Sequence, residues 1–305
     1  MKRSIYYSEH LENSILPDYL KAFHSDKVKK NCASFIAAIC DYCRRDFLNI
    51  DALHAQSYFN YLSFSNHDGK KLALSTIQLK YSTLHAFSNY LIRNSGSLKI
   101  EYSANPFNKI NFQKPDPYLN ASKVPTPEQI NSILQRCESE PVLYSAISLI
   151  IKCGFTVGEL LKLRQDSFIL DDCNHAAVVF SYRDTQRYVK IPEDVLSVLD
   201  YYWKNQTNNT EYLFENKSGR PMRVRDIERL YKKCMGTYFQ FTLSDLRSAC
   251  IALLCASGVS AKELGKYVGI QNYSWLRRYD KIIPELSLAP CDYSNLIIKP
   301  PSAQK

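Results

Sequence analysis

Apolar residues recur three and four positions apart through most of the first hundred residues. That spacing predicts helices over Leu16–His24, Lys29–Phe47, Ala55–Ser63 and Thr76–Arg93. In the last of these, Ile77, Tyr81, Leu84, Phe87, Tyr90 and Leu91 fall on one face, with a start at Leu74-Ser75-Thr76 and a stop at Asn94–Gly96. Asn66–Lys71 (NHDGKK) reads as a turn that adds positive charge. No alternation of apolar and polar positions interrupts this half, so it is expected to be an all-helical bundle. Asn111–Pro127 then holds Pro115, Pro117, Pro125 and Pro127 among polar residues, a density that predicts a semi-extended connector. Thr126-Pro127-Glu128 opens a new helix, with Thr126 as N-cap and Pro127 at the first helical position.

Beyond the connector the pattern is mixed. Leu143–Lys152 and Gly158–Leu163 read as helices, and Ala176–Tyr182 with Arg187–Ile191 as a strand pair around the turn Arg183–Gln186. Helices follow from Pro192 to about Trp203 and over Arg223–Lys233, Leu243–Ala256 and Ala261–Val268. The tail after Pro284, with Pro290, Pro300 and Pro301, is expected to be an extended arm. The expected fold class is mainly α with one small β-sheet (α+β). The expected divisions are 1–112, a linker over 113–127, a second domain over 128–283 and a tail over 284–305.

Composition adds limits to that picture. The chain has 305 residues, 45% apolar and 23% charged, enough to bury two cores. It has no apolar run of membrane-spanning length and no apolar stretch behind its first basic residues, so neither a membrane span nor a secretory signal is expected. A cytoplasmic protein, in a host cytoplasm or at a nucleoid, is the corresponding expectation. The ten cysteines are read as reduced thiols. Cys40 and Cys43 form a CxxC inside a helical pattern without a second pair, so they are read as buried thiols and no metal or cofactor is expected. The net charge is +9, and residues 1–114 carry 15 Lys/Arg against 9 Asp/Glu, which favours a polyanionic partner.

The order of local signals narrows the function. Leu84-x-x-Phe87-x-x-Tyr90-Leu91 is followed by Asn105-Pro106. Cys153-Gly154-Phe155-Thr156-Val157-Gly158-Glu159-Leu160 forms a first box, and Leu213-Phe214 with Ser218-Gly219-Arg220-Pro221 precedes a second. That second box is Leu243-Ser244-Asp245-Leu246-Arg247, with Ser257-Gly258-Val259 after it and Gly269 ten residues before Tyr279. In order and spacing the chain resembles the phage-type tyrosine recombinase (integrase) family over roughly residues 14–280. The resemblance implies a helical SAM-like core-binding (DNA-binding) domain over 1–112 and a recombinase-like catalytic domain over 128–283. It also implies a chemistry in which a tyrosine hydroxyl attacks a DNA phosphodiester and leaves a 3'-phosphotyrosyl link.

Family members hold the phosphate with two arginines, a hairpin lysine and two histidine-like donors beside the tyrosine. Carried over residue by residue, the first arginine falls on Thr156, the lysine on Tyr182 with Arg183 beside it, and the first histidine on Ser244. The second histidine falls on Ile270, which has no donor. Arg247 and Tyr279 are kept, with Arg277 and Arg278 just before the tyrosine. No histidine lies beyond His175, so a shifted alignment supplies none. Losing one preorganised donor costs roughly 10²–10³ in rate, so strand cleavage is expected to be lost. Each kept or replaced residue has two readings. Tyr279 is a nucleophile or a packing residue; Arg247 binds a backbone phosphate or sits in an ion pair. Thr156 and Ser244 are neutral phosphate donors or core fillers, and Glu159 caps or pairs within its helix.

For DNA contact, Lys217, Arg220, Arg223, Arg225, Arg229, Lys232 and Lys233 cluster within seventeen residues, and Arg225, Arg229 and Lys232 share a helical face. That face lines a duplex or is simply solvated. Lys70, Lys71, Thr76 and Lys80 lie where the family's core-binding domain meets DNA. The leading expectation is a double-stranded DNA-binding regulator, repressor-like, or an accessory factor of a phage or mobile element. The alternatives are a divergent active integrase using Arg247, Tyr279 and Arg183, and a scaffold acting through protein contacts inside a recombinase complex. The tail is a candidate route to a homo-oligomer.

Overall fold

The computed structural model describes residues 3–67, 70–170, 175–182, 185–205, 211–216, 218–238, 240–282, 296 and 298–300, with the side chains of Asn66, His67, Lys70, Gln165, Ser181, Tyr182 and Thr185 outside that description. The chain divides into two compact units, Met1–Asp116 and Pro117–Lys305.

In the first unit a π-helical turn at Leu11–Ile15 leads into α1 (Leu16–Lys21). Then come α2 (Asp26–Cys43), α3 (Ala52–Phe64), the ladder β1 (Asn66–His67) with β2 (Lys70–Lys71), α4 (Leu74–Arg93) and the single turn α5 (Ser95–Leu98). The helices are those expected, with corrected ends. α2 stops at Cys43 because Arg44 takes left-handed backbone (φ 53°) and its N–H bonds the Cys40 carbonyl. Phe47–Asn49 is a separate 3-10 turn, N-capped by Asp46. α3 begins three residues early because the Asp51 carboxylate accepts the His54 N–H at 2.9 Å. α4 ends at Arg93, where the stop at Asn94–Gly96 predicts, and the single turn α5 follows it. Asn66–His67 pairs antiparallel with Lys70–Lys71, so the unit is not purely helical, and Asp68-Gly69 of the expected turn lie outside the described residues.

The core of this unit is aromatic. Phe47 packs against Phe87 at 4.8 Å between ring centroids, and Phe107 reaches both Phe47 (6.0 Å) and Phe59 (6.3 Å). Asn105 is buried with its amide satisfied. Its Nδ2 donates to the His85 carbonyl (3.1 Å) and Asn89 Oδ1 (2.8 Å), and its Oδ1 accepts the Phe107 N–H (2.9 Å). The Asn105-Pro106 pair therefore turns the chain and seats Phe107 in the core.

The second unit contains α6 (Pro127–Cys137), α7 (Pro141–Cys153), α8 (Val157–Leu160), β3 (Phe168–Leu170), β4 (Ala176–Tyr182), β5 (Thr185–Lys190), α9 (Glu193–Lys204), α10 (Val224–Met235), α11 (Leu243–Ala256) and α12 (Ala261–Val268). A 3-10 segment, Tyr273–Tyr279, closes the series. Thr126 caps α6 as expected, in a reciprocal box with Gln129. α7 is buried on nearly every side and packs against α9 and α11. The sheet order is β3-β4-β5, all antiparallel. The sequence pattern missed β3, which has three residues and leaves Ile169 and Leu170 exposed. β5 begins at Thr185, two residues before the expected start, and alternates cleanly. Arg187 and Val189 point inward, followed by Ile191, while Gln186, Tyr188 and Lys190 point out.

Of the tail expected to be an extended arm, only residues 296 and 298–300 are described. Leu296 and Ile298 are buried in the core of this second unit, and the Tyr144 hydroxyl on α7 donates to the Lys299 carbonyl at 2.9 Å. No single helix among the described residues is long and apolar enough to cross a membrane.

Candidate active site

Three backbone devices bring the candidate residues together. α7 ends at Cys153 with Gly154 as its C-cap in left-handed backbone (φ 63°), and a Cβ there would lie 2.9 Å from Val268 Cγ1, so any other residue at the turn into the first box would be strained. α11 is started by Thr242 and Asp245, whose side chains each accept the other's backbone N–H (3.2 and 2.8 Å). That start sets the direction of Ser244 and Arg247. α12 is capped by Ser260 and ends at Gly269 in left-handed backbone, which delivers Val268 and Ile270 to the same place.

Thr156 is the N-cap of α8. Its Oγ1 accepts the Glu159 N–H at 3.2 Å, and the Glu159 carboxylate accepts both its backbone N–H (2.7 Å) and its hydroxyl (2.9 Å). The hydroxyl is thus committed as donor and as acceptor. Arg247 is half-buried and makes no ion pair among the described residues. Its Nε donates to the Gly154 carbonyl at 2.9 Å and its Nη2 to the Val268 carbonyl at 2.6 Å. Burial pulls its pKa below the usual arginine value; Glu159 opposes that shift and Arg187 reinforces it. Ser244 is exposed, and its carbonyl accepts the Ser248 hydroxyl at 3.1 Å. Ile270 packs with the apolar cluster that includes Leu264, Val268 and Leu276.

Tyr279 ends the 3-10 segment and is fully buried among Ile251, Ala252, Leu264 and Val268, with Trp275 edge-on at 5.6 Å. Its hydroxyl has no hydrogen bond of good geometry, although the Ser248 hydroxyl lies beside it. Burial raises its pKa above the ordinary tyrosine value. Ser248 and the charges of Arg278 and Arg247 offset part of that rise. In this arrangement the phenol is neutral and shielded from solvent.

One charged residue at this place was not singled out from the sequence. Arg187 enters from β5, is only 9% exposed, and pairs through Nη1 with Glu159. Its Nε donates to the Tyr267 carbonyl at 2.6 Å, and its Nη2 faces the carbonyls of Cys153 (3.4 Å) and Gly154 (3.5 Å). The rings of Phe155 and Phe180 flank it, at 5.4 and 5.5 Å from the guanidinium carbon. The signal that could have found it is a charge at an inward position of a strand whose next inward residues are Val189 and Ile191.

On α10, Arg225, Arg229 and Lys232 are exposed while Ile227, Tyr231 and Met235 are buried. Arg223 caps α10 by pairing with Asp226 at 3.2 Å, and its guanidinium holds that carboxyl below the usual range; Arg220 is exposed in the preceding turn. Arg277 is exposed, whereas Arg278 is half-buried with its guanidinium 4.7 Å over the Trp275 ring. In the first unit Lys71 is exposed and Thr76 is half-buried in the first turn of α4. The Lys80 ammonium lies 4.6 Å over the Phe35 ring. Arg183 and Lys217 lie outside the described residues, as do the side chains of Tyr182 and Lys70. Among the described residues no group of His, Cys, Asp and Glu could hold a metal ion.

Among solved structures the chain is similar to the Tn1549 transposon integrase (residues 82–397) in complex with circular intermediate DNA, at 18% identity and a TM-score of 0.65 over 89% of this chain and 97% of that one. It is also similar to a lambda integrase (75–356) dimer bound to a COC' core site, at 20% identity and a TM-score of 0.65 over 87% and 94% of the two chains. XerH site-specific recombinase bound to its difH substrate matches at 13% identity and a TM-score of 0.57, over 87% and 77%. At these identities the likeness is one of fold. No curated protein matches the chain. The family model of the phage integrase family matches residues 123–284, more than half of the chain. That span runs from the residues before α6 to just past Tyr279, and on it the chain belongs to the phage integrase family of tyrosine recombinases.

Proposed function

We propose that the chain binds double-stranded DNA in a sequence-specific way on an integrase scaffold, without cutting the strands. It then serves a phage or mobile element as a repressor-like regulator or as an accessory factor, working in the host cytoplasm or at the nucleoid. The observation that carries the loss of cleavage is at Thr156. The residue at the family's first arginine position carries no charge, and its hydroxyl is committed to capping α8. Ile270 offers no donor to a leaving oxygen, and the Tyr279 phenol is enclosed.

DNA binding is supported by the family, by structural neighbours that are themselves DNA complexes, and by the exposed basic face of α10. On this reading Lys70, Lys71, Thr76 and Lys80 contribute from the first unit, and Arg183, Arg220, Arg223, Arg277 and Arg278 from the second. Arg247 holds one backbone phosphate. Self-association through the tail is part of this reading, with Leu296 and Ile298 remaining in the core of the second unit.

A second reading, an active divergent integrase, draws on one observation: Tyr279 lies close enough to Arg247 and Arg278 for their charges to act on its phenol. One experiment separates the two. Duplex fragments selected by the protein from a random pool are incubated with wild type and with Tyr279→Phe, then run on a denaturing gel. Selective binding with no covalent protein–DNA band in either sample is expected. A covalent band in wild type alone makes Tyr279 a nucleophile and overturns the proposal.

A further inference from the structure

Glu159, Arg187 and Arg247 meet at one short piece of backbone. Arg247 and Arg187 both approach the Gly154 carbonyl, at 2.9 and 3.5 Å, and they grip adjacent carbonyls of the α12 end, Val268 and Tyr267, at 2.6 Å each. Glu159 stands between these two cations and Thr156. One carboxylate oxygen is committed to Thr156, and the other accepts from Arg187. Two fixed cations and one anion leave a net charge of about +1 at the place where the family fold presents Arg247.

We infer that Arg187 is a positioning residue for Arg247: by neutralising Glu159 and bracing the Gly154 and Tyr267–Val268 carbonyls, it keeps the Arg247 charge available to a DNA phosphodiester. The inference rests on the proposed DNA binding and names the internal pair that this binding depends on. An unpaired Glu159 carboxylate at this spot would draw Arg247 toward itself and repel an incoming phosphate. Either effect cancels the positive potential in a partly desolvated pocket, where Coulomb interactions are stronger than in water. The Arg187 donors within bonding reach all face protein acceptors, so Arg187 acts through Glu159 and Arg247 without touching the ligand. The pair also gives the uncharged residue at position 156 a context. The carboxylate that caps it has found its counter-charge on a strand instead of on its own helix.

The test is a charge cycle read as affinity for a duplex that wild type selects from a random-sequence pool, at near-physiological salt, with a thermal melt on every variant. Arg247→Gln sets the scale. Arg187→Gln is expected to weaken binding by about tenfold and Glu159→Gln to tighten it by a few-fold, while Glu159→Gln with Arg187→Gln returns to within about threefold of wild type, because net charge is restored. Glu159→Gln keeps a side chain able to cap Thr156. If Arg187→Gln does not fold, the opposite sign of Glu159→Gln and the recovery in the double variant still decide. A double variant as weak as Arg187→Gln, or a Glu159→Gln that binds no tighter, overturns the inference and leaves Arg187 a packing residue. A wild type that selects no duplex, or one indifferent to Arg247→Gln, sinks the DNA-binding reading and the inference with it.

Discussion

Removing the Thr156 hydroxyl would leave the Glu159 N–H in the first turn of α8 without its cap, and Thr156→Ala is expected to lower stability by about 1 kcal/mol. The readout is a lower urea midpoint at unchanged slope. The thiols give a pH dependence. Burial pushes both Cys43 and Cys255 up to about 11. A raised thiol pKa favours the neutral form in the folded state. Its stabilising effect is therefore complete below the unfolded value of about 8.5 and fades as pH rises toward 11. Iodoacetamide at pH 8 is expected to label these two thiols about a hundredfold more slowly than the same thiols in the unfolded chain. Peptide mapping after timed quenching measures it. At this scale the sequence makes the absent charge at Thr156 and the absent donor at Ile270 readable, because each follows from residue identity alone. Arg187 is not readable in that way. Its role depends on a strand register that begins at Thr185 and on a carbonyl 80 positions further along the chain.

Elements with local start signals are the legible ones. Thr126 with Gln129, Thr242 with Asp245 and Ser260 before Glu263 each fix a helix start through bonds spanning three residues, so α6, α11 and α12 begin where the sequence says. β3 and the end of α2 are not legible. The first is too short to alternate, and the second turns on the left-handed backbone at Arg44. α10 shows what such a helix offers once placed. Its buried Ile227, Tyr231 and Met235 hold it down, while Arg225, Arg229 and Lys232 face solvent. Replacing those three basic residues with alanine is expected to leave the melting temperature within a degree or two and to flatten the salt dependence of duplex binding. The slope of log affinity against log salt should fall by up to about 0.9 per lost phosphate contact. A steep, unchanged slope would mean that this face is solvated and nothing more.

Both units carry their own cores, and the second includes residues far along the chain. Deleting 296–305 removes Leu296 and Ile298 from the core around α7, together with the bond from Tyr144 to the Lys299 carbonyl. Burying side chains of this kind is worth about 1.5–3 kcal/mol each. The truncated protein is expected to lose several kcal/mol, concentrated in the second unit, and urea unfolding followed at Trp203 and Trp275 measures it. The bond between Tyr144 and Lys299 spans 155 positions, and that separation has a consequence during synthesis. The first unit has all its chain by Asp116, whereas the second cannot seal the surroundings of α7 until Lys299 is available. At about 5–20 residues per second the interval is roughly 10–40 s. For most of that time α7, complete at Cys153, waits without its last neighbours, in a nascent chain whose N-terminal unit can already have folded.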